Sequence, residues 1–456
     1  MNLTDIAIDI ATVSFLLCLG FALRVKIAFF RRYFIPASLI AGILGLLLGP
    51  QVLGEVSPIC LHYSKGIGQW INFAFCFIFA TSFLGNSVGK LGRDILSTTV
   101  IAGTMHMMQI LVGLAIIVAL LPFMQDLPMW LGLLPVTGFY GGHGSAGIIG
   151  ASFGSEGISD AMGIAMTYAT IGMFAAVIGG MFLINYGASR GWTSHKVDQA
   201  EIDKLTHSSG LLEKGSRPSM AAAVCSPSAL DPFAFQFMIV GVIIAISYIT
   251  RIGLIAIIPF WKRIPLYTMC LLMGAIVGPI LGKTKWGQYI DRPSMKRISG
   301  LALEYMIVVA VATIRISVLK AYFVPIVVST IILCGLTAFF SVYLSKKWYG
   351  DHWFEVAMGI YGQCTGTLAT GLLLIKVLDP DGDTMTSESI SGSSTLGSFY
   401  QLPNTTMGPM LFLSSPMLYI GGVSAALVAF ILAGILFFRV KGKADPALVN
   451  KNWTQN

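Results

Sequence analysis

Gly138-Phe139-Tyr140-Gly141-Gly142-His143-Gly144-Ser145-Ala146-Gly147 interrupts an otherwise apolar segment with repeated glycines and two polar side chains, His143 and Ser145. The pattern returns 221 residues later as Gly359-Ile360-Tyr361-Gly362-Gln363-Cys364-Thr365-Gly366-Thr367, so G-x-Y-G occurs twice and small polar residues follow it both times. At membrane depth, backbone can leave the helical ladder only where the freed amides and carbonyls are buried in protein or line a cavity. Two glycine-broken apolar segments at matching places in two halves therefore point to the binding site of a transporter built from repeats.

The composition supplies the membrane. Of 456 residues, 55% are hydrophobic and 11% charged, with mean hydropathy +0.79, against about 25% charged in ordinary soluble domains. The net charge of +8 is scattered over many short loops, which argues for membrane topology and against nucleic acid as a partner. Met1 to Asp9 holds Asp5 and Asp9 but no Lys or Arg, so it lacks the basic start of a cleavable signal peptide, and the first apolar segment is expected to remain as a span. Seven cysteines, mostly in apolar stretches and without a C-x-x-C pair, exclude a disulfide framework and a zinc site.

Apolar stretches long enough to cross about 30 Å of hydrocarbon as helices fall at 6–23, 34–49, 68–86, 98–121 and 160–185, with the first glycine segment at 129–154. In the second half they fall at 233–256, 265–281, 299–317, 322–343 and 386–413, with the second glycine segment at 353–378 and an extra span at 416–438. The expected fold is an all-α integral membrane protein of two five-helix repeats, 1–186 and 232–413, each with a re-entrant hairpin, 129–158 and 353–380. A linker at 187–231, an extra transmembrane helix at 414–438 and a tail at 439–456 complete it. Within the linker, Asp198 to Leu205 reads as a short surface helix.

Charge decides between re-entrance and full crossing, because Lys and Arg concentrate in cytoplasmic loops. With both glycine segments re-entrant and the N-terminus outside, 22 of the 29 basic residues lie in cytoplasmic loops, including five from Arg190 to Arg217 and five from Lys283 to Arg297. Full crossing would move those ten outside. Five spans per half is an odd number, so the second repeat enters the membrane in the opposite sense. The repeats are then inverted, Gly141 and Gly362 meet near the midplane, and the C-terminus is cytoplasmic.

Gly141, Gly142 and Gly144 allow positive φ and close backbone approach, leaving N–H and C=O groups to bind a carboxylate or a cation. Helix packing through Gly138-xxx-Gly142 is the competing reading, and it leaves the polar His143-Gly144-Ser145 unexplained. Two readings of His143 stand, a ligand contact and a hydrogen-bonded structural residue. In the second segment Gly362, Gln363, Cys364, Thr365, Gly366 and Thr367, with Thr370 beyond them, offer neutral donors and acceptors that suit an amino acid, while Cys364 reads as a small packing residue. Thr167, Thr170, Ser398 and Asn404 are candidate Na⁺ ligands on the spans that follow. Asp9, Glu304, Arg315 and Lys376 are ionisable residues in or beside spans without an assigned role; for Lys376, interfacial snorkelling competes with neutralisation of a substrate carboxylate. His106 reads as a hydrogen-bonded residue within the helix bundle.

Gly141-Gly142-His143-Gly144 resembles the first re-entrant loop of the bacterial sodium:glutamate symporter family, which carries G-G-H-G-T-G; here Ser145-Ala146 stands where the family has Thr. The likeness extends to Tyr33-Phe34-Ile35-Pro36, Ala41-Gly42, Ala169-Thr170-Ile171-Gly172, Ile178-Gly179-Gly180, Cys364 to Gly371, and Asp379-Pro380. It implies two inverted five-helix repeats and a homodimer with a scaffold and a moving transport domain. It also implies Na⁺-coupled uptake of glutamate or a related anionic amino acid at the bacterial inner membrane, with no cofactor beyond the coupling ion. Coupling to Na⁺ or H⁺ with another organic anion is the alternative within this fold. An intramembrane hydrolase using Ser145 and His143 is disfavoured, since His143 to Gly147 lacks the first glycine of a G-x-S-x-G elbow. A channel would conduct passively where a transporter saturates. The chain is read as a transporter and not an enzyme.

Overall fold

The computed structural model describes residues 3–32, 35–64, 66–84, 92–194, 221–258, 261, 264–379 and 384–439. Tyr33-Phe34, Lys65, Lys90, Lys262, Arg263, Pro380, the expected helix from Asp198 to Leu205 and the tail beyond Arg439 lie outside the described residues. Among those described, all regular structure is helical.

Eight helices are long and apolar enough to cross a membrane: Leu3–Lys26, Ala37–Val56, Arg93–Leu120, Ala161–Ser189, Pro232–Ile257, Leu266–Lys283, Phe323–Trp348 and Pro416–Phe438. Three expected spans fall outside this set for separate reasons. Gln69–Thr81 has only 13 helical residues. The span expected at 299–317 is the helix Arg292–Ala312, which starts earlier and carries Arg292, Lys296 and Arg297 in its first two turns. Thr386–Ser414 is long enough, but its Ser and Thr residues and the internal prolines Pro403 and Pro409 lower its hydropathy.

Local chemistry sets several of these ends. Asp231 accepts hydrogen bonds from the backbone N–H groups of Phe233 and Ala234, with Pro232 opening the helix behind it. Asp291 does the same for Ser294. Both are N-caps that satisfy amides the helix itself leaves free.

The chain forms two compact units, each drawn from both halves of the sequence. The first unit takes Met1–Gly89, Ala151–Ser159 and Ser208–Ile316. Its helices pack through small residues: a Cβ on Gly42 would come within 2.6 Å of Val311 Cβ, so only glycine lets Ala37–Leu48 and Arg292–Ala312 approach this closely. Asp9, 1% exposed, accepts from Ser64 N, Ser64 Oγ and Trp70 Nε1 at 3.2, 2.6 and 3.1 Å, which makes it a structural anchor for the segment after the second span. Glu304 is exposed. The second unit takes Lys90–Gly150, Asp160–His207 and Ser317–Asn456, and it contains the second glycine segment and the first as far as Gly150.

Candidate functional site

In the second unit the first glycine segment is a helix, a break and a helix. Leu134–Phe139 ends at Tyr140, whose extended backbone leads into Gly141 at φ +108° and Gly142 at φ +62°. The helix Gly142–Ser155 starts there. Of the three glycines expected to allow positive φ, Gly141 and Gly142 adopt it and a side chain at either is strained whatever the space around it, whereas Gly144 lies in the helix Gly142–Ser155 without positive φ.

The second segment breaks in the same manner. Trp353–Thr365 ends at Gly366, and Leu368–Leu378 begins behind a capping box in which Thr370 N donates to Thr367 Oγ1 at 3.3 Å and Thr367 N donates to Thr370 Oγ1 at 2.9 Å. Thr370 Oγ1 also donates to Gly362 O at 2.8 Å, so its hydroxyl ties the two arms together.

The two breaks meet through Gly142, Gly366 and Thr367 and not, as expected, through Gly141 and Gly362: Gly362 packs on Gly371 and Leu374 within its own segment. A Cβ on Gly142 would lie 2.5 Å from Thr367 Cγ2 and 3.3 Å from Gly366 O, and one on Gly172 would lie 2.4 Å from Thr365 O. Two helix N-termini, at Gly142 and at Leu368, are thereby brought to one place, and each presents free amides and the positive end of a helix dipole.

The side chains around this meeting point are ordered by hydrogen bonds. His143 is 4% exposed, with Nε2 3.1 Å from Thr170 Oγ1, while Thr170 donates its one hydroxyl proton to Met166 O at 3.0 Å. Thr170 must then accept from His143, which puts the imidazole proton on Nε2. Gln401 Nε2 spans the first break, donating to Tyr140 O at 2.7 Å and to Ser145 Oγ at 2.9 Å. The Tyr140 and Tyr400 hydroxyls are 2.9 Å apart, with the His106 ring packed edge-on to Tyr140 at 4.9 Å. Gln109 Nε2 donates to Thr337 Oγ1 and to Cys364 O, both at 2.8 Å.

Three buried polar atoms in this region, His106 Nδ1, Gln109 Oε1 and Gln363 Oε1, find no partner among the described residues. Buried polar groups are paired in the great majority of cases, so each exception calls for an explanation.

The sequence-derived residues divide accordingly. Gly141 and Gly142 lie at the first break, with His143, Gly144 and Ser145 in the first turn of the helix that follows; Gly366 and Thr367 form the second break, and Gly362, Gln363, Cys364 and Thr365 are the last helical turn before it. Cys364 is buried and free, as expected of a packing residue. The hydrogen bonds of the four candidate Na⁺ ligands go to separate partners. Thr167 and Ser398 donate to their own helices at Gly163 O and Ser394 O, Thr170 pairs with His143, and Asn404 is held between His106 and Tyr419. Lys376 is exposed in the last turn of Leu368–Leu378, about 13 Å along the helix from the break at 1.5 Å per residue. Sequence reasoning missed Gln401, Tyr140, Tyr400 and Gln109. A glutamine two residues before Pro403, and a glutamine three residues after His106, were the available signals.

A family model described as sodium/glutamate symporter matches residues 3–373, which includes both breaks and ends before Ser398, Gln401 and Asn404. No curated protein matches the chain.

Proposed function

The chain belongs to the sodium/glutamate symporter family, and from that membership, which makes it a Na⁺-coupled glutamate transporter, we propose that both solutes bind where its two helix breaks meet. The observation that carries this reading is the approach of Gly142 to Gly366 and Thr367, which sets two helix N-termini at one point. Glutamate carries two carboxylates and one ammonium. Free amides at the start of Gly142–Ser155 and of Leu368–Leu378 suit the carboxylates, and the unpartnered acceptor Gln363 Oε1 suits the ammonium. Na⁺ takes the oxygens, since the Gly366 carbonyl faces the first break and hydroxyls such as Thr167 and Ser398, with their protons given to their own helices, keep lone pairs for a cation.

The architecture belongs to the same proposal. Two inverted repeats, 1–186 and 232–413, carry the breaks on re-entrant hairpins at 129–158 and 353–380, joined by the linker 187–231. Support comes from the make-up of the compact units, since 1–89 pairs with 208–316 and the later part of each half pairs with the other. The N-terminus lies outside and the C-terminus in the cytoplasm of a bacterial inner-membrane homodimer, with the unit that holds both breaks as the moving transport domain.

A substrate lacking the amine tests the site. Gln363→Leu should weaken glutamate binding in Na⁺ by about tenfold, the order of one hydrogen bond to a charged group, and leave inhibition by glutarate unchanged. An equal loss for both ligands would take Gln363 away from the ammonium and overturn this orientation.

A further inference from the structure

The second unit holds a cavity of about 500 Å³ between the helices Arg93–Leu120, Phe323–Trp348 and Pro416–Phe438. We propose that it binds an anionic phospholipid, with one acyl chain in the groove and the headgroup phosphate between Lys347 and Arg439.

The lining decides the chemistry. Along the groove it is apolar, with Met108, Phe340, Leu427 and Ile431 among its walls. Lys347 ends the basic pair in the last turn of Phe323–Trp348, and Arg439 directly follows Pro416–Phe438. Both side chains are exposed, neither has a carboxylate partner among the described residues, and no Asp or Glu lines the cavity. Two uncompensated cations at the end of an apolar groove between spans fit a phosphodiester with a chain attached. A zwitterionic headgroup would bring its own cation to the same place. The neighbouring Lys346 is engaged elsewhere, over the rings of Trp192 and Trp353 at 5.9 and 5.4 Å.

The fold holds the two cations where they are. Gly434 lies against Trp348, and a Cβ there would come within 2.5 Å of the ring, so the two helices are in close contact at this end. The last turn, Gly434–Phe438, is a π-helix, which rephases the chain just before Arg439. Tyr343 and Ile435, at 48% and 44% exposure, leave the groove open along its side, as entry from a bilayer requires.

The test uses the purified full chain in nanodiscs of phosphatidylcholine, titrated with phosphatidylglycerol and read by native mass spectrometry. Phosphatidylglycerol should bind about thirtyfold tighter than added phosphatidylcholine of the same chains, the sum of two cation contributions. The double variant Lys347→Gln, Arg439→Gln should remove that preference, while Ile431→Trp, which fills the groove and keeps both cations, should weaken both lipids. Monodisperse elution of each variant checks folding. Equal affinity of the wild-type chain for the two lipids overturns the proposal, as does a preference that survives the double variant. Displacement of the lipid by millimolar inorganic phosphate also overturns it, since an ion site needs no groove. So does a groove filled by a second copy, seen as a dimer that carries no lipid and binds lipid only on dissociation.

Discussion

At Gly142 the absence of a side chain is a structural requirement. The residue is at φ +62°, and the direction a Cβ would take is filled by Thr367 Cγ2 at 2.5 Å. Gly142→Val therefore combines about 1–3 kcal/mol of backbone strain with the loss of the space between the two breaks, and uptake should fall to background while membrane insertion persists. Gly154 serves as the control, because it lies in the same helix and a Cβ there meets nothing within 4 Å. Gly154→Val should keep near-normal uptake; equal loss in both variants would assign the effect to the helix and not to the junction. Gln401 is the complementary case, a side chain standing in for missing helix. Its amide donates to the Tyr140 carbonyl and to Ser145 Oγ. Gln401→Leu leaves two acceptors unmet, at a cost of about 1–3 kcal/mol, and a lower melting temperature with weaker glutamate binding is expected. An unchanged melting temperature would show that the break holds without it. Asn404 completes a polar chain of the same kind: Tyr419 Oη donates to its Oδ1 at 2.7 Å, so its Nδ2 donates to His106 Nε2 at 3.1 Å and the imidazole proton resides on Nδ1. That commitment of the amide at both ends limits what Asn404 can offer a cation.

At the scale of elements, the topology has a direct test. Ser155, at the end of Gly142–Ser155, and Met385, ahead of Thr386–Ser414, are both exposed. Single cysteines at these places, in a chain otherwise free of cysteine, should react with a membrane-impermeant maleimide from opposite faces, Ser155 from outside and Met385 from inside. Reaction of both from one face would remove the inverted repeats. The first helix break was legible, because a doubled glycine in an apolar segment has few uses; the second was not placed by the repeated motif, since Gly359 to Gly362 are helical and the helix ends at Gly366. The start of Arg292–Ala312 was also written in the chain: Asp291 followed by Pro293 and Ser294 is an N-cap, but three basic residues in the first two turns hide it from a hydropathy reading. The reach of Gln401 to Tyr140 was not legible. The two are 261 residues apart, and no local pattern reports which polar side chain of a Ser- and Thr-rich helix will meet a broken backbone. Asp9 is similar, since its donors Ser64 and Trp70 lie 55 and 61 residues away.

For the molecule as a whole, the decisive quantity is the coupling between the two solutes. Among the described residues no group of three or more His, Cys, Asp and Glu could hold a metal ion. At the proposed junction site glutamate would bring a net negative charge to a place where, among the described residues, helix dipoles and amides offer compensation. Each solute therefore supplies what the other lacks, and each should raise the affinity of the other by the same factor, because coupling free energies are reciprocal. A coupling of about 1–3 kcal/mol corresponds to roughly 5- to 150-fold. Calorimetric titration of glutamate at saturating Na⁺, and again with Na⁺ replaced by N-methyl-D-glucamine, should give a ratio in that range, and Na⁺ titrated with and without glutamate should return the same ratio. Equal glutamate affinity in both media would show that Na⁺ and substrate do not share the junction. Unequal ratios in the two directions would show that a further ion, such as H⁺, enters the cycle. Repeating the titrations with Gly142→Val separates these outcomes from a misplaced site: binding and coupling should disappear together if the junction of the two helix breaks holds both solutes, and Na⁺ binding that survives unchanged would put the cation elsewhere in the unit.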